Sequence, residues 1–384
     1  MQVDIFEINS RKKEIVLALG PESSGNFSVY HEGKIYFYQT GMDLLDEKNF
    51  TLFKKSVLGF LRKEKIKPDI ILTDLHPWYR TMVWGKELAR KFKAKNIKVQ
   101  HHIAHIFSAI GDRIIRNSKF LPGLLRDSKR AGKIRNSIFG VACDGTGYGL
   151  DGKIWGGEVF KFQISNFKIR NINRIGHLEN QILIGGDLTV QEPARMLISV
   201  LSNFLEKGKV FGFVKKYYSH NAFEVIYNQL RDKFNCQETS STARVLDAVS
   251  VLLGFSDNKR GEKHGPVFAL EKNSTASYKL DPKIILDQKE KKYILLTTPL
   301  FEFLLKNVKK NKRCLAATAQ LYLAKGLYGI VKKYAIHNTY FAGGMANNRI
   351  MADYFALQGV YSSKKIPRGD AGLSFGQIVY YLHT

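Results

Sequence analysis

Cysteine and proline are scarce in this 384-residue chain, at three and nine residues. Cys143, Cys236 and Cys314 lie far apart and form no Cys-x-x-Cys pair, so neither a disulfide framework nor a zinc ribbon can be drawn, and a reducing compartment fits. Acids are few as well: Asp and Glu number 34 against 60 Lys and Arg, a formal charge of +26. Such an excess attracts nucleic acid, acidic proteins or anionic nucleotides, but it is spread along the chain. Its one dense stretch, Arg113 to Arg135, lacks the interleaved aromatics of a base-stacking platform and reads as a solvated basic surface. No run approaches the roughly 18 apolar residues that span a bilayer, and Met1 to Ser10 holds acids and no apolar core. Membrane insertion and secretion are therefore not expected, and the expected location is cytoplasmic.

What is present is globular in character, with 44% hydrophobic and 24% charged residues. The length exceeds one ordinary core and predicts two lobes with a cleft between them. The apolar run Glu14 to Gly20 reads as a buried strand entering a turn. Asn26–Tyr30 and Lys34–Tyr38 read as an antiparallel hairpin on the edge of the same sheet. An amphipathic stretch Thr51–Lys65, a strand Asp69–Asp74, a helix Met82–Phe92 and a strand Ile97–Gln100 follow. Ser137–Cys143, a Gly-rich turn and Gly157–Gln163 then repeat the opening order. The predicted class is α/β, a duplicated two-lobe fold with a central cleft. Residues 1–135 form the N-terminal lobe and 136–384 the C-terminal lobe, with a largely helical insertion at about 188–253. A plain two-domain α/β protein is the alternative.

Four places carry chemistry-bearing residues. In Val99-Gln-His-His-Ile-Ala-His105, His101 and His105 are four apart directly after a strand and share one helix face, a spacing that suits a metal; His102 points elsewhere. Solvent-facing or core histidines would give the same pattern. Cys143-Asp-Gly-Thr-Gly-Tyr-Gly149 sets Asp144 at a strand end before alternating glycines, where backbone amides approach phosphate oxygens. A tight hairpin turn is the plainer reading, and Asp144 serves either as a cation ligand or as a turn former. Phe341 to Asn348 is a strand-to-helix turn with paired glycines, and Arg368 to Gly376 holds a further carboxylate, Asp370. Two histidines and two aspartates form a hard donor set suited to Fe, Mn, Mg or Zn rather than copper.

The motifs together resemble the transferase domain of the HypF hydrogenase-maturation family. Asp144-Gly-Thr-Gly-Tyr-Gly149 with Trp155-Gly-Gly-Glu158, Asp74-Leu-His-Pro77, Gln100 to His105, Gly185-Gly-Asp187 with Glu192-Pro-Ala-Arg-Met196, and Thr239 to Arg244 with Asp247 all occur in that family's order. They span about Gly20 to Gln377. The resemblance implies an actin-like (ASKHA) fold, shared with the tRNA threonylcarbamoyladenosine synthases and the antibiotic O-carbamoyltransferases. It implies transfer of a carbamoyl group from carbamoyl adenylate, or another ATP-derived donor, to a protein cysteine, as in building the cyanide ligands of a nickel–iron hydrogenase. By matching positions, His101, His105, Asp144 and Asp370 would hold a divalent metal at the catalytic centre. Gly145, Thr146, Asp247, Gly265, Gly343, Gly344 and Asn348 would cradle the ATP, AMP or adenylate. Glu192 with Arg195 is either a buried ion pair or a substrate contact, and Asp187 is equally open.

The chain also departs from that family. Glu22-Ser-Ser-Gly-Asn26 stands where Glu-Leu-Lys-Asn-Thr is usual, and Gly261-Glu-Lys-His-Gly-Pro266 replaces a Tyr-Glu-Gly turn and looks more like the tRNA-modifying relatives. Acylphosphatase-like, zinc-finger and YrdC-like segments are not seen, so the activated donor is expected from a separate YrdC-like protein; the resemblance implies a HypE-like protein as one expected acceptor. Carbamoylation of tRNA or of a small molecule is the alternative, tRNA being favoured by the charge. A non-catalytic nucleotide-binding scaffold is the third reading, though it has little use for an intact metal set.

Overall fold

The computed structural model describes residues 2–116, 137–165, 168–261, 264–334 and 338–384. Both the predicted lobe boundary near Arg135 and the basic stretch beyond Arg116 lie outside them.

The first sheet has six strands in the order β1-β4-β3-β2-β5-β6, namely Gln2–Glu7, Lys34–Gln39, Asn26–His31, Val16–Ala18, Ile70–Asp74 and Lys95–Val99. β2, β3 and β4 are antiparallel neighbours, whereas β5 and β6 run parallel to β2. Parallel strands buried on both faces read as continuous apolar runs, which is why Ile70 to Leu72 and Val16 to Ala18 carry no alternation. The hairpin is not at the edge as the sequence predicted. β1, whose residues alternate weakly, pairs with β4 along Gln2↔Gln39 to Glu7↔Lys34 and covers it.

The second sheet has eight strands among the described residues, with the antiparallel pair β12 (Ile284–Asp287) and β13 (Lys292–Leu295) at one end. Its centre is the long hairpin β7 (Ser137–Tyr148) and β8 (Ile154–Ser165), continued by β9 (Lys168–Leu178). β14 (Thr339–Ala342) lies parallel to β7. The sequence predicted a Gly-rich turn over Asp144–Gly149. Instead β7 runs on through it, with a bulge between Cys143 and Gly147, and the chain reverses at Gly149 to Lys153. A bulge re-aims side chains at a strand end, and here it frees Asp144 from the ladder. Residues 188–253 are mostly helical, but β11 (Cys236–Thr239) joins the sheet between β10 (Gln181–Ile184) and β8, and helix Thr242–Leu253 is core rather than insertion.

Two helices bind the sheets together. Helix His101–Arg116 of the first half packs under β7 and β14 of the second, while the last helix, Leu373–His383, packs under β2, β3 and β4 of the first. The two helices also pack on each other. A Cβ on Gly376 would fall 1.9 Å from the Ala104 carbonyl oxygen, so only glycine permits this approach. One continuous apolar core, from Phe6 and Val16 to Phe375 and Ile378, runs through both helices and both sheets.

Against the sequence expectation, one helix among the described residues, Lys312–Lys332, is long and apolar enough to cross a membrane. Most of it is buried against the second sheet, the environment of a core helix.

Candidate metal centre and nucleotide cleft

Gln100 follows β6 and caps the next helix: its side-chain oxygen accepts from Ile103 N at 3.0 Å and its carbonyl from Ala104 N at 3.0 Å. Its amide nitrogen donates to the Tyr148 carbonyl on β7 at 3.1 Å, tying the helix start to the other lobe. Helix periodicity then stacks His101 and His105 on one inward face.

Both imidazoles meet the two carboxylates. Nε2 of His101 and Nε2 of His105 each lie 3.1 Å from Asp144 Oδ2, and 3.3 and 3.4 Å from Asp370 Oδ1. The nitrogens are 3.0 Å apart, and one donor atom from each of the four residues lies within 4.8 Å of the others. Three of the four side chains are held from behind. His101 Nδ1 faces Asp74 Oδ2 at 2.7 Å, a contact that keeps a proton on Nδ1 and turns Nε2 into the cluster. Asp144 Oδ1 accepts from the backbone of Gly145 at 2.8 Å and Gly344 at 3.3 Å, while Asp370 Oδ2 accepts from Ser23 Oγ.

The electrostatics show what the cluster wants. Burial disfavours charge on all four groups. The Asp74, Asp144 and Asp370 carboxylates nevertheless outweigh it and hold His101 well above the ordinary histidine value; Asp144 and Asp370 likewise raise His105. Against the same burial, the histidines hold Asp144 well below, and Asp370 below, the ordinary carboxylate value. With both histidines deprotonated at Nε2, these residues form a donor set able to hold a divalent cation. A cation with bonds of about 2.1 Å spaces neighbouring ligands about 3.0 to 3.4 Å apart, as the N–N and N–O distances are here.

His102 is turned away, as the sequence predicted. It is buried with Nδ1 on Gln100 and packs against Trp155, and burial lowers it to about 4. His76 and Tyr79, stacked at 4.2 Å beside Asp74, form one wall, and Trp78 stands exposed at its rim.

The residues expected to cradle a nucleotide lie on the second-lobe side. Gly145 is half-buried and Thr146 exposed, just past Asp144. The Gly145 carbonyl accepts from Ser241 Oγ, the cap of helix Thr242–Leu253. Gly343 has a φ of +92° and passes so close to Cys143 that a Cβ would meet its carbonyl oxygen at 2.2 Å; Gly344 follows onto Asp144. Asp247 is buried on helix Thr242–Leu253, with Arg244 at 2.8 Å. Gly265 opens helix Gly265–Lys272, which packs on that helix. Asn348 caps helix Arg349–Leu357 through Met351 N and donates to Gln320 and Glu271, so its amide serves local structure. Glu192 and Arg195 form an ion pair at 2.7 Å, the plainer of the two readings, with Tyr218 donating to the same carboxylate. Asp187 is exposed before helix Leu188–Gln191 and caps nothing with its side chain.

Family comparison decides where this geometry belongs. The model of the HypF Kae1-like domain matches residues 11–112, and that of the carbamoyltransferase Kae1-like domain, second subdomain, matches 140–377. This chain belongs to the HypF Kae1-like domain family. The probable carbamoyltransferase HypF of Methanocaldococcus jannaschii is 33% identical, covering 98% of this chain and 47% of its own length; carbamoyltransferase HypF of Synechocystis sp. is 24% identical, covering 95% and 46%. Among solved structures, full-length HypF in the phosphate- and nucleotide-bound form superposes with a TM-score of 0.82 at 23% identity, over 99% of this chain and 57% of that one. T. kodakarensis HypF gives 0.80 at 25%, over 98% and 48%. The chain thus spans about half the length of the curated relatives it matches, and it has their actin-like fold.

Sequence reading gave no role to Asp74 or Ser23. Asp74 ends a buried strand, a place where α/β folds set ligand-handling groups, and that signal was readable. Ser23 was visible only as a departure from the family pattern.

Proposed function

We propose that this chain is a carbamoyl-transfer unit that binds carbamoyl adenylate in the cleft and passes the carbamoyl group to a protein cysteine. The observation that carries the reading is the convergence of His101, His105, Asp144 and Asp370, two from each half, into one buried set of N and O donors. His101, His105, Asp144 and Asp370 would hold a divalent cation, which would supply Lewis acidity toward the negative charge that develops on the departing AMP. The protein's own part is positional. Asp74 fixes the His101 ring, the Gly145 and Gly344 amides orient Asp144, and Ser23 orients Asp370. Gly145, Thr146, Gly343 and Gly344 leave backbone close to the cleft for the adenylate. In the transfer, the acceptor thiolate forms a C–S bond to the carbamoyl carbon as the carbon–phosphate oxygen bond breaks, and AMP leaves with the electron pair. No nucleophile from this chain is needed.

A YrdC-like unit supplies the adenylate in this reading, and a HypE-like protein presents the cysteine. The charge of +26 favours one second reading, in which the acceptor is tRNA. Metal content and AMP release from carbamoyl adenylate, compared between the wild type and folded His101→Ala and Asp370→Ala variants, test the proposal. Both variants lose metal and AMP release if it holds. A wild type that binds nucleotide but holds no metal and turns over nothing with either acceptor sinks it and leaves the scaffold reading.

A further inference from the structure

Helix His101–Arg116 carries more than two histidines on its inward face. Positions 101, 105, 108 and 112 fall in one stripe at helical spacing. Asp112, at its far end, is completely buried, and its carboxylate spans to a segment some 250 residues away in sequence. Oδ1 accepts from the backbone of Lys365 at 2.7 Å and Ile366 at 2.6 Å; Oδ2 accepts from Tyr361 Oη at 2.6 Å and Lys364 N at 3.1 Å. Four donors from one short segment onto one buried carboxylate form a clamp. Such charge-assisted bonds are stronger than neutral ones and leave the carboxylate fully satisfied.

The clamped segment leads directly to Asp370. Between them, Arg368 donates to the Ser363 carbonyl at 2.9 Å and the Ala346 carbonyl at 2.7 Å, so the approach to Asp370 is also fixed to the turn that follows β14. Beyond Asp370 the chain enters helix Leu373–His383, which Gly376 seats on Ala104 of the same histidine-bearing helix. The segment is therefore fastened to that helix before and after Asp370. Tyr361 is itself paired with β14, its N–H on the Thr339 carbonyl at 3.0 Å, and cannot follow the helix passively.

We propose that Asp112 is a positioning residue for the metal centre: it sets the register of the segment 361–370 along the histidine helix, so that Asp370 reaches the two Nε2 atoms. This rests on the metal reading given above. Asp112 contacts no donor of the cluster. It acts through the backbone, at a site where ligand geometry must hold to a few tenths of an ångström.

The test compares the wild type with Asp112→Asn, Tyr361→Phe and Leu300→Ala, using Co(II) as the probe and amide hydrogen exchange as a metal-free readout. Asn keeps the shape but sets an NH2 against two donors in either orientation. Expected for Asp112→Asn are a Co(II) affinity lowered 10–100-fold, a changed visible Co(II) spectrum, and exchange at 364–370 faster by tenfold or more. Tyr361→Phe removes one donor and should show the same changes at several-fold, keeping the question answerable if Asp112→Asn does not fold. Leu300→Ala, in the second-lobe core, should lower the melting temperature with neither change. Affinity, spectrum and exchange unchanged in both clamp variants, or shifted no more than in Leu300→Ala, would overturn the proposal. Should the wild type bind no Co(II), the metal reading fails, and exchange at 364–370 alone still decides whether Asp112 holds the segment.

Discussion

In the first lobe, β2 pairs antiparallel with β3 and parallel with β5; in the second, β7 pairs antiparallel with β8 and parallel with β14. The strand plan is the same, but the strand ends differ. β2 stops after three residues and gives way to Gly20, Glu22 and Ser23, polar groups that brace others. β7 runs twelve residues and projects Asp144 from its bulge. β5 ends in Asp74, which holds a histidine from behind, and β14 is followed by Gly343 and Gly344, which hold backbone close to Asp144. Duplication thus supplies two similar platforms, and the cluster lies where their ends meet. The helices that carry His101 and follow Asp370 each pack beneath the opposite sheet, so packing and ligation depend on each other.

That crossing is the first place to break the comparison. Gly376→Ala puts a methyl where the Ala104 carbonyl oxygen already stands, 1.9 Å away with backbone on both sides. Overpacking of this kind cannot be relieved by a rotamer change, and a loss of about 3 kcal/mol or more is expected, read by chemical denaturation. A near-neutral result would mean that the two helices separate without cost.

The lobes also treat buried glutamates differently. Burial pushes Glu22 of the first lobe up, against a backbone bond from Arg80. Burial pushes Glu158 of the second up too, but the Arg174 guanidinium at 2.5 Å, with His177, His102 and the Ser240 hydroxyl, outweighs it and brings the carboxyl to about 2. A depressed carboxylate stabilises fully above its unfolded value of 4.5 and loses that contribution as pH falls toward 2. The stability difference between wild type and Glu158→Gln should therefore shrink by about 3 kcal/mol from neutral pH to the acid end of that window. A difference that stays constant with pH would remove the ion pair from the account. Asp74→Asn ranks next, with metal affinity down about 10–100-fold by titration and little change in melting, because the His101 ring loses its anchor and not its fold.

Much of this was legible in the sequence. His101 and His105 were paired by helical spacing, and Asp144 was marked by the apolar run before it, although the strand runs on past it to Tyr148. The strand order predicted the duplication. What was not legible depends on long-range packing. Nothing local in Gln2–Glu7 shows that β1 seals β4, and a bulge inside an Asp-Gly-Thr-Gly run reads as a turn because glycines serve both. The Asp112 clamp and the Ser23 bond to Asp370 join residues roughly 250 and 350 apart, and no periodicity reports on such pairs. Helix Lys312–Lys332 escaped notice as an apolar segment because Thr318, Gln320 and Lys325 interrupt the apolar run between its charged ends.

The smallest expected effect separates first-lobe scaffold from site. Gly59 lies in helix Glu47–Lys63, on the face of the first sheet away from the cluster, with nothing within 4 Å of where a Cβ would stand. Its φ is ordinary for a helix, so Gly59→Ala meets neither clash nor strain and removes backbone freedom only from the unfolded chain. A gain of about 0.5–1 kcal/mol is expected by denaturation, with metal affinity unchanged. Set beside Gly376→Ala, the same one-methyl change acts in opposite directions, and the difference measures how much of the fold's stability rests on the crossing helices rather than on either lobe alone. If Gly59→Ala shifted metal affinity as well, the first lobe would be transmitting strain from its outer helix to the strand ends, and it could not be treated as a passive platform.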